Sequence, residues 1–276
     1  AFLIYWPALN GAFLWDDNLD LTENPALRDL RGLWLLWFAP PTLDYYPIKF
    51  TVQWVQWQLW GGHVVGYHVT NVALHALGGV LLWRVFDRLG LRFAWLGALL
   101  FVVHPLAVES VAWIAELKNV LSLPPLLLAL LAWLDFDAHG ARRDYRRALA
   151  WFIVAMLCKT SVVMFPVTLV LFTWWRHERI TLSDARRLAP FFAVSLVLGL
   201  VTIWLQFGRA LGGESLPLGG PLEQLAAWRR LRDDTVIAGM RCPGTGRDGI
   251  DHGTEAPVQH GFEASPGSAV LLGVVA

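Results

Sequence analysis

Residues 67–86 read YHVTNVALHALGGVLLWRVF, a run whose single charged residue, Arg84, sits near its end. About 20 mostly apolar residues in a helix cross the hydrocarbon core of a bilayer, so this run is expected to span a membrane. It also carries a polar stripe. His68, Asn71 and His75 stand three and four residues apart, on one helical face. Such a stripe implies a partner helix or a cavity. Interhelical hydrogen bonding is the simpler reading, above all for His75. A metal site would need a third ligand of known geometry.

Working outward, further apolar stretches recur at Ala1–Trp15, Phe93–Val108, Val120–Leu134, Ala148–Leu157, Val162–Trp175 and Pro190–Phe207. Several are shorter than a full span, and the pair around Cys158–Ser161 is also compatible with a re-entrant turn. The chain opens inside an apolar stretch, so a fragment lacking the start of its first helix is expected. Composition agrees with a membrane protein. Of 276 residues, 56% are hydrophobic and 16% charged, and the mean hydropathy is +0.47. A soluble domain is about 45–50% apolar and about 25% charged. The 22 basic and 22 acidic residues leave no net charge, which argues against a nucleic-acid partner. Cys158 and Cys242 form neither a disulfide framework nor a zinc motif.

Charges between the spans set the topology. Arginines cluster at Arg84–Arg92, Arg142–Arg147 and Arg176–Arg187. In an alternating bundle these three loops share one side, the cytoplasmic one by the positive-inside rule. The outer loop 16–66, the His104–Lys118 segment and the Lys159 turn then face the outside. The outer loop is too long for a plain connector. It holds two apolar stretches, Leu33–Phe38 and Lys49–Trp60. In the second, Trp54, Trp57 and Trp60 recur every three residues, interrupted by Gln53, Gln56 and Gln58. This pattern suits a helix lying in the membrane interface; a structural aromatic belt is the alternative.

Ionisable groups in or beside spans are costly and point to function by default. Asp16 and Asp17 stand at the outer end of the first apolar stretch. Two adjacent carboxylates repel, which raises one pKa and suits a general base; a solvated helix end is the alternative. Tyr45-Tyr46-Pro47 offers two phenols on a fixed turn, shaping either a pocket or simply the chain. His104-Pro105 begins a segment in which Glu109, Trp113 and Glu116 are expected on one helical face, with Lys118 pointing away. Lys159, between two apolar runs, either receives a lipid phosphate or snorkels to the headgroups. No nucleotide loop, nucleophile elbow or metalloprotease motif appears.

These pieces form an ordered set: Phe13-Leu-Trp-Asp-Asp17, Asn24-Pro25, Tyr45-Tyr-Pro47, Trp60-Gly61, Gly66-Tyr-His68, Asn71, His75, His104-Pro105, Glu109-Ser-Val-Ala-Trp-Ile114 and Glu116-Leu-Lys-Asn119. In that set the chain resembles the bacterial relatives of the transmembrane and tetratricopeptide-repeat O-mannosyltransferases, over about residues 1–215. The resemblance implies an all-α polytopic membrane protein, a GT-C-like bundle of about seven spans with a long outer first loop carrying interfacial helices. It implies a polyprenyl-phosphate sugar donor, with mannose the usual sugar, and a protein Ser or Thr acceptor. It implies that Asp16 or Asp17 is the base, and that basic groups at the outer face, Lys159 and Lys118, steady the leaving phosphate. Tyr45, Tyr46, His68, His104 and Glu109 complete the expected substrate site. A monophosphate leaving group does not require a metal cofactor. The implied location is the bacterial inner membrane, multi-pass, with the active side periplasmic.

The expected organisation is a transmembrane domain over 1–207, an outer loop or linker over 208–231 and an irregular tail over 232–276. The tail is Gly-rich and lacks tryptophan, as a frameshifted or a disordered end would be. The family continues into further spans and tetratricopeptide repeats that this sequence does not show, so an N-terminal part is expected. A non-catalytic membrane protein, such as a transporter or assembly factor, and an inactive remnant are the competing readings.

Overall fold

The computed structural model describes residues 1–14, 16–38 and 45–210, the last five as backbone. The expectations for 232–276 and for most of 208–231 lie outside these described residues. The described residues form helices and turns: α1 (Leu30–Phe38), α2 (Pro47–Trp60), α3 (Val64–Arg88), α4 (Ala94–Val103), α5 (Ala107–Ala112), α6 (Leu117–His139), α7 (Arg142–Cys158), α8 (Phe165–His177) and α9 (Leu182–Ala210). Three are long and apolar enough to cross a membrane: α3, α6 and residues Leu182–Leu205 of α9. At 1.5 Å per residue, α3 is about 37 Å long, more than the ~30 Å hydrocarbon core. The chain is an all-α polytopic membrane protein.

Two expected spans are redrawn. Within Ala1–Trp15 the chain forms a 3-10 turn at Trp6–Asn10 rather than a spanning helix. Tyr5 and Leu9 from this turn pack on Val72, Val111, Leu117 and Val120. Phe93–Val108 is not continuous either. His104 is extended (φ −67, ψ 129) and ends α4, because the residue before a proline is driven out of the helical region. A second break follows α5 at Trp113, also extended. Glu109, Trp113 and Glu116 therefore share no helical face, contrary to the sequence reading.

α6 packs most extensively against α7 and α3. In lipid, association rests on close packing and internal hydrogen bonds rather than on burial from water. An aromatic cluster supplies the packing for α6–α9: Trp133 and Phe191 meet edge-on at 5.4 Å, and Phe152 and Phe165 lie 5.1 Å apart. Such pairs add about 0.5–1.5 kcal/mol each. Between α3 and α4, a Cβ on Gly79 would come within 2.3 Å of the Val102 side chain, so the glycine permits the close approach.

The two ends differ. At one, the three arginine-rich loops gather around the last turn of α6. Arg88 pairs there with Asp135; Arg176 and His177 reach Asp137 at 3.7 and 3.0 Å. The Tyr145 hydroxyl donates to the Arg187 carbonyl at 2.9 Å. Gly90 (φ 72) and Gly140 (φ 67) close α3 and α6 in the left-handed conformation that suits glycine. At the other end lie the first loop, α5 and the Lys159 turn. The charge pattern is thus a property of the folded bundle. Single cysteines at Ala141 and Ile180 should react with an impermeant thiol reagent from one side of the membrane, and one at Gly62 from the other. Equal reactivity of all three from one side would contradict the two-ended arrangement.

Candidate functional site

The site grows from the break between α5 and α6. The break leaves the Trp113 carbonyl and the Ala115 N–H outside any helix. Asn71, from the polar stripe of α3, donates to the Trp113 carbonyl at 3.0 Å. Asp17 accepts from Ala115 N–H at 2.6 Å and from Leu14 N–H at 2.9 Å. Stripe and acidic pair thus hold the two sides of one break. His75 meets the Val102 carbonyl at 3.1 Å, the interhelical bond expected of it. His68 is buried against Gly11, and neither ring nitrogen makes a well-formed hydrogen bond.

The adjacent carboxylates diverge. Asp17 is 1% exposed, whereas Asp16 is exposed. Burial pushes the Asp17 carboxyl above its ordinary value, partly offset by the hydrogen bonds from Leu14 and Ala115. The carboxylate that adds to the rise is Asp20, not the sequence neighbour. Asp20 itself forms an ion pair with buried Lys49, a pair that sequence reasoning missed. The only sequence signal was a lysine inside an apolar helix.

Beyond the break, Lys118 pairs with Glu116 at 3.1 Å. Asn119 donates to Glu116 and, at 3.0 Å, to the Ser110 hydroxyl, and its side-chain Oδ1 accepts from Lys159. Asn119 therefore joins α5, α6 and the turn after α7. The structure brings Lys118 and Lys159 into one polar network with this unpredicted hub. The network edges a cavity of about 500 Å³. Its lining includes the polar His75, His104, Ser110, Asn119 and Ser122 and the apolar Phe101, Leu123, Leu126 and Val162. Pro124 and Pro125 sit inside α6 beside it. Each lacks an N–H, which frees the carbonyls four residues earlier, on Val120 and Leu121. Irregular backbone at membrane depth is tolerated where it lines a cavity.

The remaining predicted residues lie around this centre. Tyr46 packs on the cluster of Leu21, Leu27, Phe50, Tyr67 and Ile114, next to the Asp17 anchor at Ala115. The Tyr45 hydroxyl donates to the Trp37 carbonyl at 3.2 Å, tying α1 to the turn before α2. Glu109 is exposed on α5, and no ion pair or hydrogen bond joins its carboxylate to this network among the described residues. The tryptophans of α2 also differ from expectation. Trp54, Trp57 and Trp60 are partly buried against the same cluster, and Trp54 donates to the Asp29 carbonyl at 2.9 Å. The exposed positions are Val55, Gln58 and Leu59, while Gln53 and Gln56 are buried. Two of the three glutamine amides of the helix thus turn inward.

Asp17→Asn should loosen this site. An amide cannot accept at both oxygen positions, so one backbone N–H loses its partner, at a cost of about 1–3 kcal/mol. The pH dependence has a definite sign. A carboxyl whose folded-state pKa lies above its ordinary 3.8 contributes stability below that value, and the contribution is lost as pH rises through the folded-state pKa. The unfolding midpoint of the wild type, relative to Asp17→Asn, should therefore fall as pH rises from about 4. A difference independent of pH would show that Asp17 does not titrate in this way.

Comparison with known proteins gives several relatives. The chain is 28% identical to the mouse protein O-mannosyl-transferase TMTC4 over 193 residues, covering 58% of this chain and 26% of the relative. It is 28% identical to the fruit-fly protein O-mannosyl-transferase Tmtc1 over 184 residues, covering 59% and 20%. With the human protein O-mannosyl-transferase TMTC1 the identity is 31% over 151 residues, covering 49% and 17%. The chain thus spans about a quarter or less of the length of these relatives. No family model matches it, and no solved structure does. Over about half its length, the chain is similar to the TMTC-type protein O-mannosyl-transferases.

Proposed function

We propose that this chain is the membrane-embedded part of a glycosyltransferase that moves a sugar, mannose by likeness to its relatives, from a polyprenyl-phosphate donor to a protein hydroxyl. One observation carries the reading: a largely apolar cavity whose lining includes Asn119, which accepts from Lys159 and donates to Glu116, the partner of Lys118. An isoprenoid tail suits the apolar lining, and the donor's phosphodiester, which leaves as a phosphate monoester, suits the neighbouring ammonium groups.

In this reading the acceptor hydroxyl oxygen attacks the anomeric carbon of the sugar. The bond from that carbon to the phosphate oxygen breaks, and the polyprenyl phosphate leaves with the electron pair. Lys159 and Lys118 stabilise the negative charge on the departing phosphate. The hydroxyl proton passes to Asp16, the exposed carboxylate of the pair and hence the one able to meet an acceptor. Asp17 acts as a positioning residue, fixing the loop that carries Asp16 against the α5–α6 break. Tyr45, Tyr46 and His104 shape the surrounding surface, buried His68 packs behind it, and the sugar end faces the outer side. By composition, this unit extends over about residues 1–207.

A positioned base contributes roughly 10²–10⁴-fold to rate. In membranes carrying the protein, supplied with labelled polyprenyl-phosphate mannose, Asp16→Asn should lower transfer by that factor while donor binding persists. Full activity of Asp16→Asn with loss in Asp17→Asn would exchange the roles, and full activity of both would end the catalytic reading. Lys159→Met should weaken donor binding and leave folding intact. Unchanged donor affinity would reduce Lys159 to a snorkelling residue.

A further inference from the structure

We infer that the arginine-rich end of the bundle is a binding surface for anionic phospholipid headgroups. This inference is independent of the proposed transfer reaction.

Four carboxylates at this end are committed to arginines, while Asp87 and Glu178 are exposed. Asp135, Asp137, Asp144 and Asp184 hold Arg88, Arg176, Arg147 and Arg187 respectively. Arg142, Arg143, Arg146, Arg179 and Arg186 are all exposed, and none has a carboxylate within 4.0 Å among the described residues. Three of them crowd the first turns of α7. Arg142 and Arg146 stand four apart, Arg143 and Arg146 three apart, so their side chains are neighbours on one surface. Like charges at these spacings destabilise a helix unless an anion lies between them. The bond from Tyr145 to the Arg187 carbonyl fixes the start of α9, with Arg186, beside that turn.

A second observation places the cluster at headgroup level. Trp174 and Trp175, in the last turns of α8, are 57% and 62% exposed, and α8 ends at this same end through the contact of His177 with Asp137. Exposed tryptophans mark the membrane–water interface. Guanidinium groups at that depth meet lipid phosphates, which they bind in bidentate fashion. The whole chain is neutral, so the attraction comes from segregation of charge rather than from its total.

The test uses the 276-residue chain in nanodiscs of phosphatidylcholine alone or mixed with phosphatidylglycerol. The readouts are the thermal unfolding midpoint and the lipids retained on gentle extraction, measured by native mass spectrometry. The wild type should unfold at a higher temperature in the anionic discs and retain phosphatidylglycerol several-fold above its bulk share. R142Q/R143Q/R146Q should lose this preference by roughly fivefold per arginine at low salt, and added salt should weaken it in the wild type. R142K/R143K/R146K, which keeps the charge, should retain most of it and controls for misfolding. Retention at the bulk share, or equal retention by the wild type and the glutamine variant, would overturn the proposal. Stabilisation by millimolar inorganic phosphate in phosphatidylcholine discs would also overturn it, by showing a free-anion site instead of a lipid surface.

Discussion

The break in the backbone between Trp113 and Ala115 organises the half of this protein that carries the first loop. A carbonyl and an N–H left outside a helix beside a membrane have little water to turn to, and an unmade bond there costs about 1–3 kcal/mol. Asn71 meets one group and Asp17 the other. These partners come from α3 and from the first loop, so one break joins three distant parts of the chain. It also fixes where α6 starts. That start sets the positions of Glu116, Lys118 and Asn119, and through Asn119 the position of Lys159.

The same demand for internal partners gives the fold its polarity. Asn71, His75, Gln53, Gln56 and Lys49 are buried, while Leu196, Leu200 and Ile203 of α9 and Leu99 and Leu100 of α4 are exposed. A soluble protein would reverse this arrangement. Here the outward faces meet lipid, and polar side chains turn to one another, to broken backbone or to the cavity. Gln53, Gln56 and His68 are exceptions, since their buried amide and ring nitrogen groups make no well-formed hydrogen bond among the described residues.

Much of this was legible in the sequence because it rests on local pattern. The length of α3, its stripe of His68, Asn71 and His75, and the alternation of arginine-rich loops all follow from spacing and composition. What escaped depends on distant contacts. Asp16 and Asp17 are equivalent as text, yet Asp17 is buried by a bond to a residue 98 positions away. The every-third spacing of tryptophans in α2 suggested an interfacial face, but the inward side is chosen by the cluster around Phe50 and Tyr67. Pro105 signalled an interruption, whereas the second break, at Trp113, carries no proline or glycine. It exists because Asn71 and Asp17 are there to hold it.

A polar network beside a largely apolar cavity suits an amphiphilic phosphate donor, and this is the donor site proposed above. The most direct measurement is covalent capture of the donor. A polyprenyl phosphate bearing a photoreactive group in its isoprenoid chain would be irradiated with the protein in membranes, and the attachment sites mapped by mass spectrometry. Labels on peptides containing Phe101, Leu123, Leu126 or Val162, competed by unlabelled polyprenyl phosphate, are the predicted result. Labels confined to the exposed outer face of α9, or insensitive to competition, would contradict the account.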